Sequence, residues 1–130
     1  MATTPVRSSV EELLRDFYAA RTAGDLSRLC SMFTADAEFK ISGSSDGKPI
    51  GVAARGTAEI RAWLGVMVKT FRLRGFEVVS ILIDGANAAV HWRADIDSRV
   101  TGVVAPTDLV DLVRVDGKLI ASYVEFFVPR

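Results

Sequence analysis

The sequence holds one cysteine and one histidine in 130 residues. It can close no internal disulfide and assemble no conventional structural zinc cluster, so neither a metal nor a cofactor is expected. Net charge is equally scarce, since sixteen basic and sixteen acidic side chains cancel. That leaves no global field to draw in a polyanion, and nucleic acid is not an expected partner. A neutral chain is also poorly protected from self-association, which keeps homodimerisation open. Long hydrophobic runs are missing too. The greasiest stretch, Phe76 to Ile83, is broken by Glu77 and Ser80, and the opening MATTPVRSS has no apolar segment resembling a signal peptide. The expectation is a soluble, cytoplasmic protein with no membrane partner.

What is present is apolar patterning, with 49% hydrophobic residues in a chain of one-domain length. Residues 1–130 are therefore read as a single domain able to bury its own core. Ser9 followed by Glu12 has the form of a capping box, and Val10, Leu13, Leu14, Phe17 and Tyr18 recur at helical spacing. Gly24 suits the end of that helix. Asp25 can cap a second one, carrying Leu26, Leu29, Cys30 and Phe33. The period then changes to two, with Phe39 and Ile41 on one face of a short strand and Glu38 and Lys40 on the other.

The segment from Gly43 to Gly56 contains four glycines and a proline, and reads as a loop over a pocket mouth. Thr57 is the expected cap of a third helix with a large apolar stripe of Ile60, Trp63, Leu64, Met67, Val68 and Phe71. Beyond Phe76, β-branched alternation punctuated by Asp84-Gly85, Thr101 to Pro106 and Asp116-Gly117 predicts four strands near 76–84, 87–99, 104–115 and 118–128. Helices followed by a meander make an α+β protein with helices on one face of the sheet.

Four motifs in this order resemble the NTF2-like superfamily, in particular its ketosteroid-isomerase-like and SnoaL-like members. They are Ala23-Gly24-Asp25-Leu26, Met32-Phe33-Thr34-Ala35-Asp36-Ala37-Glu38-Phe39, Gly56-Thr57-Ala58-Glu59-Ile60-Arg61 and Asp111-Leu112-Val113-Arg114-Val115-Asp116-Gly117-Lys118. The resemblance implies a cone-shaped fold, in which three N-terminal helices pack on a curved, mixed but mainly antiparallel sheet. It also implies a cavity for a small hydrophobic ligand, and a homodimer formed through the outer sheet face. In the isomerases the cavity holds a carboxylate base and an oxyanion hole of one tyrosine and one protonated aspartate.

Carried over by position, those roles transfer unevenly. The tyrosine position falls on Phe17, with Tyr18 one step along the helix and about 100° away in direction. The base position falls on Ile41. Two residues compete for the acidic donor: Val103-Val104-Ala105-Pro106-Thr107-Asp108 favours Asp108, whereas the distance to the Asp116-Gly117 hairpin favours Asp111. Three apart on a strand, they face opposite sides. The hairpin register is preferred, which turns Leu109, Asp111, Val113 and Val115 inward. An inward aspartate among apolar neighbours is either a neutral hydrogen-bond donor or the partner of an arginine or backbone amide.

Arg93-Ala94-Asp95 is similar to a pair in the limonene-epoxide hydrolases, with Glu125 as the nearest match to their second acid. The alternation of His91, Arg93, Asp95, Asp97 and Arg99 with Val90, Trp92, Ala94 and Ile96 equally describes a wet outer face with cross-strand ion pairs. His91 lacks a nucleophile or metal partner, Cys30 sits on an apolar stripe, and Asp36 reads as a turn residue. Expected pocket walls are Phe17, Tyr18, Ile41, Trp63, Met67, Trp92 and Val113.

The functional expectation is a pocket for a small hydrophobic molecule, with isomerase- or cyclase-type acid–base chemistry centred on Asp111 and without the usual steroid-isomerase base and tyrosine. A non-catalytic ligand-binding or dimeric interaction domain, and an epoxide hydrolase using Arg93, Asp95 and Glu125, are the alternatives.

Overall fold

The computed structural model describes residues 5–45 and 47–130. Helix α1 spans Arg7–Ala23 and α2 spans Leu26–Ser31, followed by strands β1 (Phe33–Ser45) and β2 (Lys48–Arg55). Helix α3 covers Gly56–Thr70, and strands β3 (Phe71–Asp84), β4 (Asn87–Ser98), β5 (Val104–Asp116) and β6 (Leu119–Pro129) complete the chain. The six strands form one sheet in the order β2-β1-β6-β5-β4-β3. Its pairings are antiparallel except that of β1 with β6, which is parallel. The fold is thus α+β with a mixed sheet, as the motif order implied.

Alternation of side chains puts one face of this sheet against the helices. Ala88, Val90, Trp92 and Ala94 of β4, Leu109, Asp111, Val113 and Val115 of β5, and Phe39 of β1 are buried there. The helices answer with Val10, Leu14, Phe17 and Tyr18 from α1, Leu29 from α2, and Ile60 and Leu64 from α3. Truncating a fully buried leucine such as Leu14 or Leu64 to alanine would cost about 2–5 kcal/mol. Rings fill the centre: Phe17 packs edge-on to Tyr18 and Phe33, and Tyr123 stacks on Phe39 at 5.5 Å.

Helix boundaries depart from the sequence reading at both N-termini. Helix α1 begins two residues before Ser9, with Val6 at its cap and no side-chain capping bond, so Ser9 and Glu12 lie inside the helix. Helix α3 is preceded by Arg55 rather than capped by Thr57; the Glu59 carboxylate accepts the Arg55 backbone N–H at 3.1 Å. Asp25 does cap α2, accepting the Arg28 amide at 3.2 Å. Gly24 ends α1 in the left-handed conformation, φ 70°, where a side chain would be strained.

The largest correction concerns the expected loop from Gly43 to Gly56. It holds the last three residues of β1 and the edge strand β2, which pairs with β1 in register from Glu38 with Arg55 to Ser45 with Lys48, and Asp46 lies outside the described residues. Composition suggested a loop, but an edge strand needs hydrogen bonds on one side only, so Pro49 and the glycines are tolerated there. Gly43 has a packing reason as well: a β-carbon there would lie about 2.5 Å from the Phe127 ring. No helix among the described residues is long and apolar enough to cross a membrane.

Candidate functional site

Among the described residues, a polar cluster in the interior is centred on Asp111. Strand β5 lies between β4 and β6, so an inward aspartate at this point is surrounded by inward residues of both neighbours and roofed by α1. Asp111 is 0% exposed. Three donors converge on its Oδ2: the Tyr18 hydroxyl from α1 at 2.5 Å, the Tyr123 hydroxyl from β6 at 2.5 Å, and the Trp92 indole N–H from β4 at 2.7 Å. Oδ1 is buried without a hydrogen-bond partner among the described residues.

Glu125 is the cross-strand partner of Asp111 on β6 and is also buried. Its carboxylate is held by Arg21 of α1, which also donates to the Tyr123 oxygen at 2.9 Å and lies 5.0 Å from the centre of the Trp92 ring. Tyr123 has a single proton and stands 3.2 Å from Glu125, so its shorter contact to Asp111 takes that proton.

The electrostatics follow from this packing. Burial pushes the Asp111 carboxyl up to about 7, and the neighbouring Glu125 charge adds to the rise. Arg21 and the hydrogen bonds from Tyr123 and Tyr18 oppose it. Desolvation outweighs the donors because, among the described residues, no cation contacts Asp111 directly, and Arg21 spends its short contact on Glu125. Burial and the proximity of Asp111 raise the Tyr18 and Tyr123 hydroxyls well above the usual phenol range. Burial alone would lower Arg21, but Glu125 and Tyr123 reverse this and keep it charged. The cluster therefore presents a carboxyl that gains or loses its proton near neutrality, beside a fixed ion pair.

A groove of about 490 Å³ opens between α1 and β3. Helix α1 contributes Arg15, Tyr18, Ala19, Thr22 and Ala23, and β3 contributes Phe76, Val78 and Ile81. Tyr18 belongs to both places, since it lines the groove while its hydroxyl binds the buried acid. Among the described residues no group of three His, Cys, Asp or Glu side chains gathers where a metal ion could be held.

The model of the SnoaL-like domain matches residues 14–123. The chain belongs to the SnoaL-like family. Solved structures agree on the fold of this SnoaL-like domain. A candidate isomerase from Bacillus subtilis is 18% identical, with a TM-score of 0.79 over 93% of this chain and 87% of that one. An LEH-like epoxide hydrolase from M. tuberculosis is 14% identical, with a TM-score of 0.75 over 95% and 86%. A hypothetical protein with a ketosteroid isomerase-like fold from Catenulispora acidiphila, solved with trimethylamine, is 18% identical, with a TM-score of 0.73 over 95% and 85%. These identities establish the NTF2-like fold and leave the chemistry to the residues. No curated protein matches the chain.

Within this SnoaL-like domain the expected site residues separate. Phe17, Trp92 and Val113 are buried in the core beside Asp111, and Ile41 and Met67 are partly buried. Trp63 points out from α3 at 39% exposure, so it is no part of the interior. Of the expected walls, Tyr18 alone lines the groove, because Phe17, Tyr18, Trp92 and Tyr123 fill the centre of the cone with rings. The tyrosine position carried over from the isomerases falls on Phe17, but it is Tyr18, one step along the helix, whose hydroxyl meets the acid. The interior face of α1 is broad enough to bury both Phe17 and Tyr18, so the rotation between them does not turn Tyr18 away.

Asp108 faces the opposite side of β5, where it pairs with Arg93 at 2.8 Å, Arg130 at 3.3 Å and His91 at 3.8 Å. Arg93 and Asp95 share that outer face with His91, whereas Glu125 points inward. The trio of Arg93, Asp95 and Glu125 consequently cannot converge, and the wet-face reading of β4 holds. Cys30 is partly buried on α2. Asp36 is exposed, its carboxylate 3.2 Å from the Thr34 hydroxyl. Sequence reasoning missed Arg21, Tyr123 and Phe76. A signal for two of them exists: Arg21 follows Tyr18 at helical spacing, and Tyr123 alternates with Glu125 on a strand paired to β5. Ile41 is the β1 neighbour of Glu125 across the parallel pair.

Proposed function

We propose that this SnoaL-like domain binds a small, largely apolar molecule carrying a carbonyl or similar acceptor oxygen, and performs acid–base chemistry on it through Tyr18. The observation that carries the reading is the position of Tyr18, with its ring in the groove wall and its hydroxyl on a buried carboxyl. Tyr18 is the group that meets the ligand. Asp111 acts through it as a positioning residue. When Asp111 is protonated on the oxygen facing Tyr18, it donates to the phenol oxygen and the Tyr18 proton is released toward the groove. When Asp111 is ionised, it holds the Tyr18 proton inward. Glu125, fixed by Arg21, keeps a second carboxylate beside the pair. Solved structures of the same fold include a candidate isomerase and an epoxide hydrolase.

The test is exchange of α-hydrogens of cyclic ketones for deuterium, in which solvent takes the α-proton while Tyr18 donates to the carbonyl oxygen, followed by NMR as a function of pH. The expected rate falls as pH rises through about 7. It drops by about two to four powers of ten in Tyr18→Phe, and loses its pH dependence near neutrality in Asp111→Asn. Equal exchange by wild type and Tyr18→Phe would end this assignment.

A second reading concerns assembly. The outer sheet face carries the cross-strand row Leu82, Ala89, Leu112 and Val124, beside Val110 paired with Phe126. Leu82, Val110, Leu112 and Phe126 are exposed. This contiguous apolar surface supports a homodimer formed through the outer face.

A further inference from the structure

The proposed function leaves open which molecules the groove selects, and its two ends differ in character. Along α1, Arg15, Tyr18 and Thr22 succeed one another on the face that lines it, so Arg15 stands about 4.5 Å along the helix axis from Tyr18 and about 10 Å from Thr22. The Thr22 end is closed to charge: its hydroxyl donates to the Tyr18 carbonyl at 2.8 Å, and Ala23 and Phe76 complete the walls. Among the described residues that line the groove, Arg15 is the one charged side chain. A second guanidinium approaches the same end, because Arg7 donates to the Ile83 carbonyl at 3.1 Å, two residues beyond the groove residue Ile81. Among the described residues Arg15 is held by Glu11 alone, one helical turn away at 3.2 Å, and both side chains are exposed. Exposed pairs of this kind are weak, so a ligand anion that also buries apolar surface can displace Glu11.

We propose that the groove selects apolar molecules bearing a carboxylate, with the carboxylate on Arg15, the ring or chain along Val78 and Ile81, and the reacting oxygen at Tyr18. This rests on the groove reading given above and adds the substrate class.

The test titrates the full chain with 2-naphthoate and with 2-naphthylmethanol, a neutral probe of nearly the same shape, following the backbone amides by NMR. The carboxylate is expected to bind about fivefold more tightly than the alcohol, a preference that shrinks as salt is raised. Both probes should perturb the amides of Ala19, Ala23, Val78 and Ile81. Arg15→Gln abolishes the preference, Arg15→Glu reverses it, and Glu11→Gln enlarges it. Arg15 is exposed, so these variants are expected to keep the fold. Equal affinities in wild type, or a carboxylate preference that survives Arg15→Glu, overturn the inference while the groove reading stands. Binding of neither probe overturns both.

Discussion

At the scale of single residues, Asp111 sets a pH dependence whose sign can be worked out. Its folded carboxyl titrates near 7, above the ordinary 3.8. Below that lower value the folded and unfolded chains are both protonated, and the group contributes nothing to the pH dependence. Between about 4 and 7 the unfolded chain ionises while the folded one does not, so stability falls as pH rises, by about 1.4 kcal/mol per unit at most. Asn in this place keeps an oxygen for the three donors and puts an amide where Oδ1 stands. Urea unfolding of wild type and Asp111→Asn should therefore show the variant gaining on the wild type from pH 4 to 7. A constant difference would mean that Asp111 is ionised throughout. The inward register of Asp111 was legible in the spacing to the Asp116-Gly117 hairpin. Its partners were not, because they come from α1, β4 and β6 and meet only once the sheet is assembled.

At the scale of elements, two glycines make opposite demands. Gly24 ends α1 at φ 70°, and an added β-carbon would meet Val68 at an ordinary 3.5 Å, so the cost of a side chain there is backbone strain. Gly65 lies within α3, and its β-carbon would meet Leu26 at 3.7 Å with no such strain. Gly24→Ala is expected to destabilise the protein by about 1–2 kcal/mol, and Gly65→Ala to stabilise it by about 0.5–1 kcal/mol. Denaturant melts of the two variants check both, and a shared sign would contradict the account. The cap at Gly24 and the strands of the meander could be read locally, from turn residues and alternation. Strand β2 could not. Its glycines and Pro49 have the composition of a loop, and only pairing with β1, with Ala54 opposite Phe39, makes it a strand. Ser9 and Thr57 do not serve as caps, because α1 begins at Arg7 and α3 at Gly56, ahead of both.

At the scale of the whole molecule, the cone's interior is filled by aromatic rings around a polar cluster, and its outer face carries an apolar row from Leu82 to Val124 beside the ion pair of Arg93 with Asp108. The outer face predicts a dimer by sedimentation at micromolar concentration, converted to monomer by Leu112→Lys or Phe126→Lys. A wild-type monomer at high concentration would remove that reading. The fold was largely legible because its motifs are local and ordered. The site was less so, since Trp63 and Trp92 look alike in sequence, yet one is 39% exposed and the other 0%. The central claim is that a buried acid behind Tyr18 holds its proton near neutrality. The most direct measurement is the Asp111 carboxyl carbon shift, followed by NMR across pH 3 to 9 in protein labelled at aspartate and assigned with Asp111→Asn. A midpoint near 7 is predicted; a midpoint near the ordinary 3.8 would contradict the account.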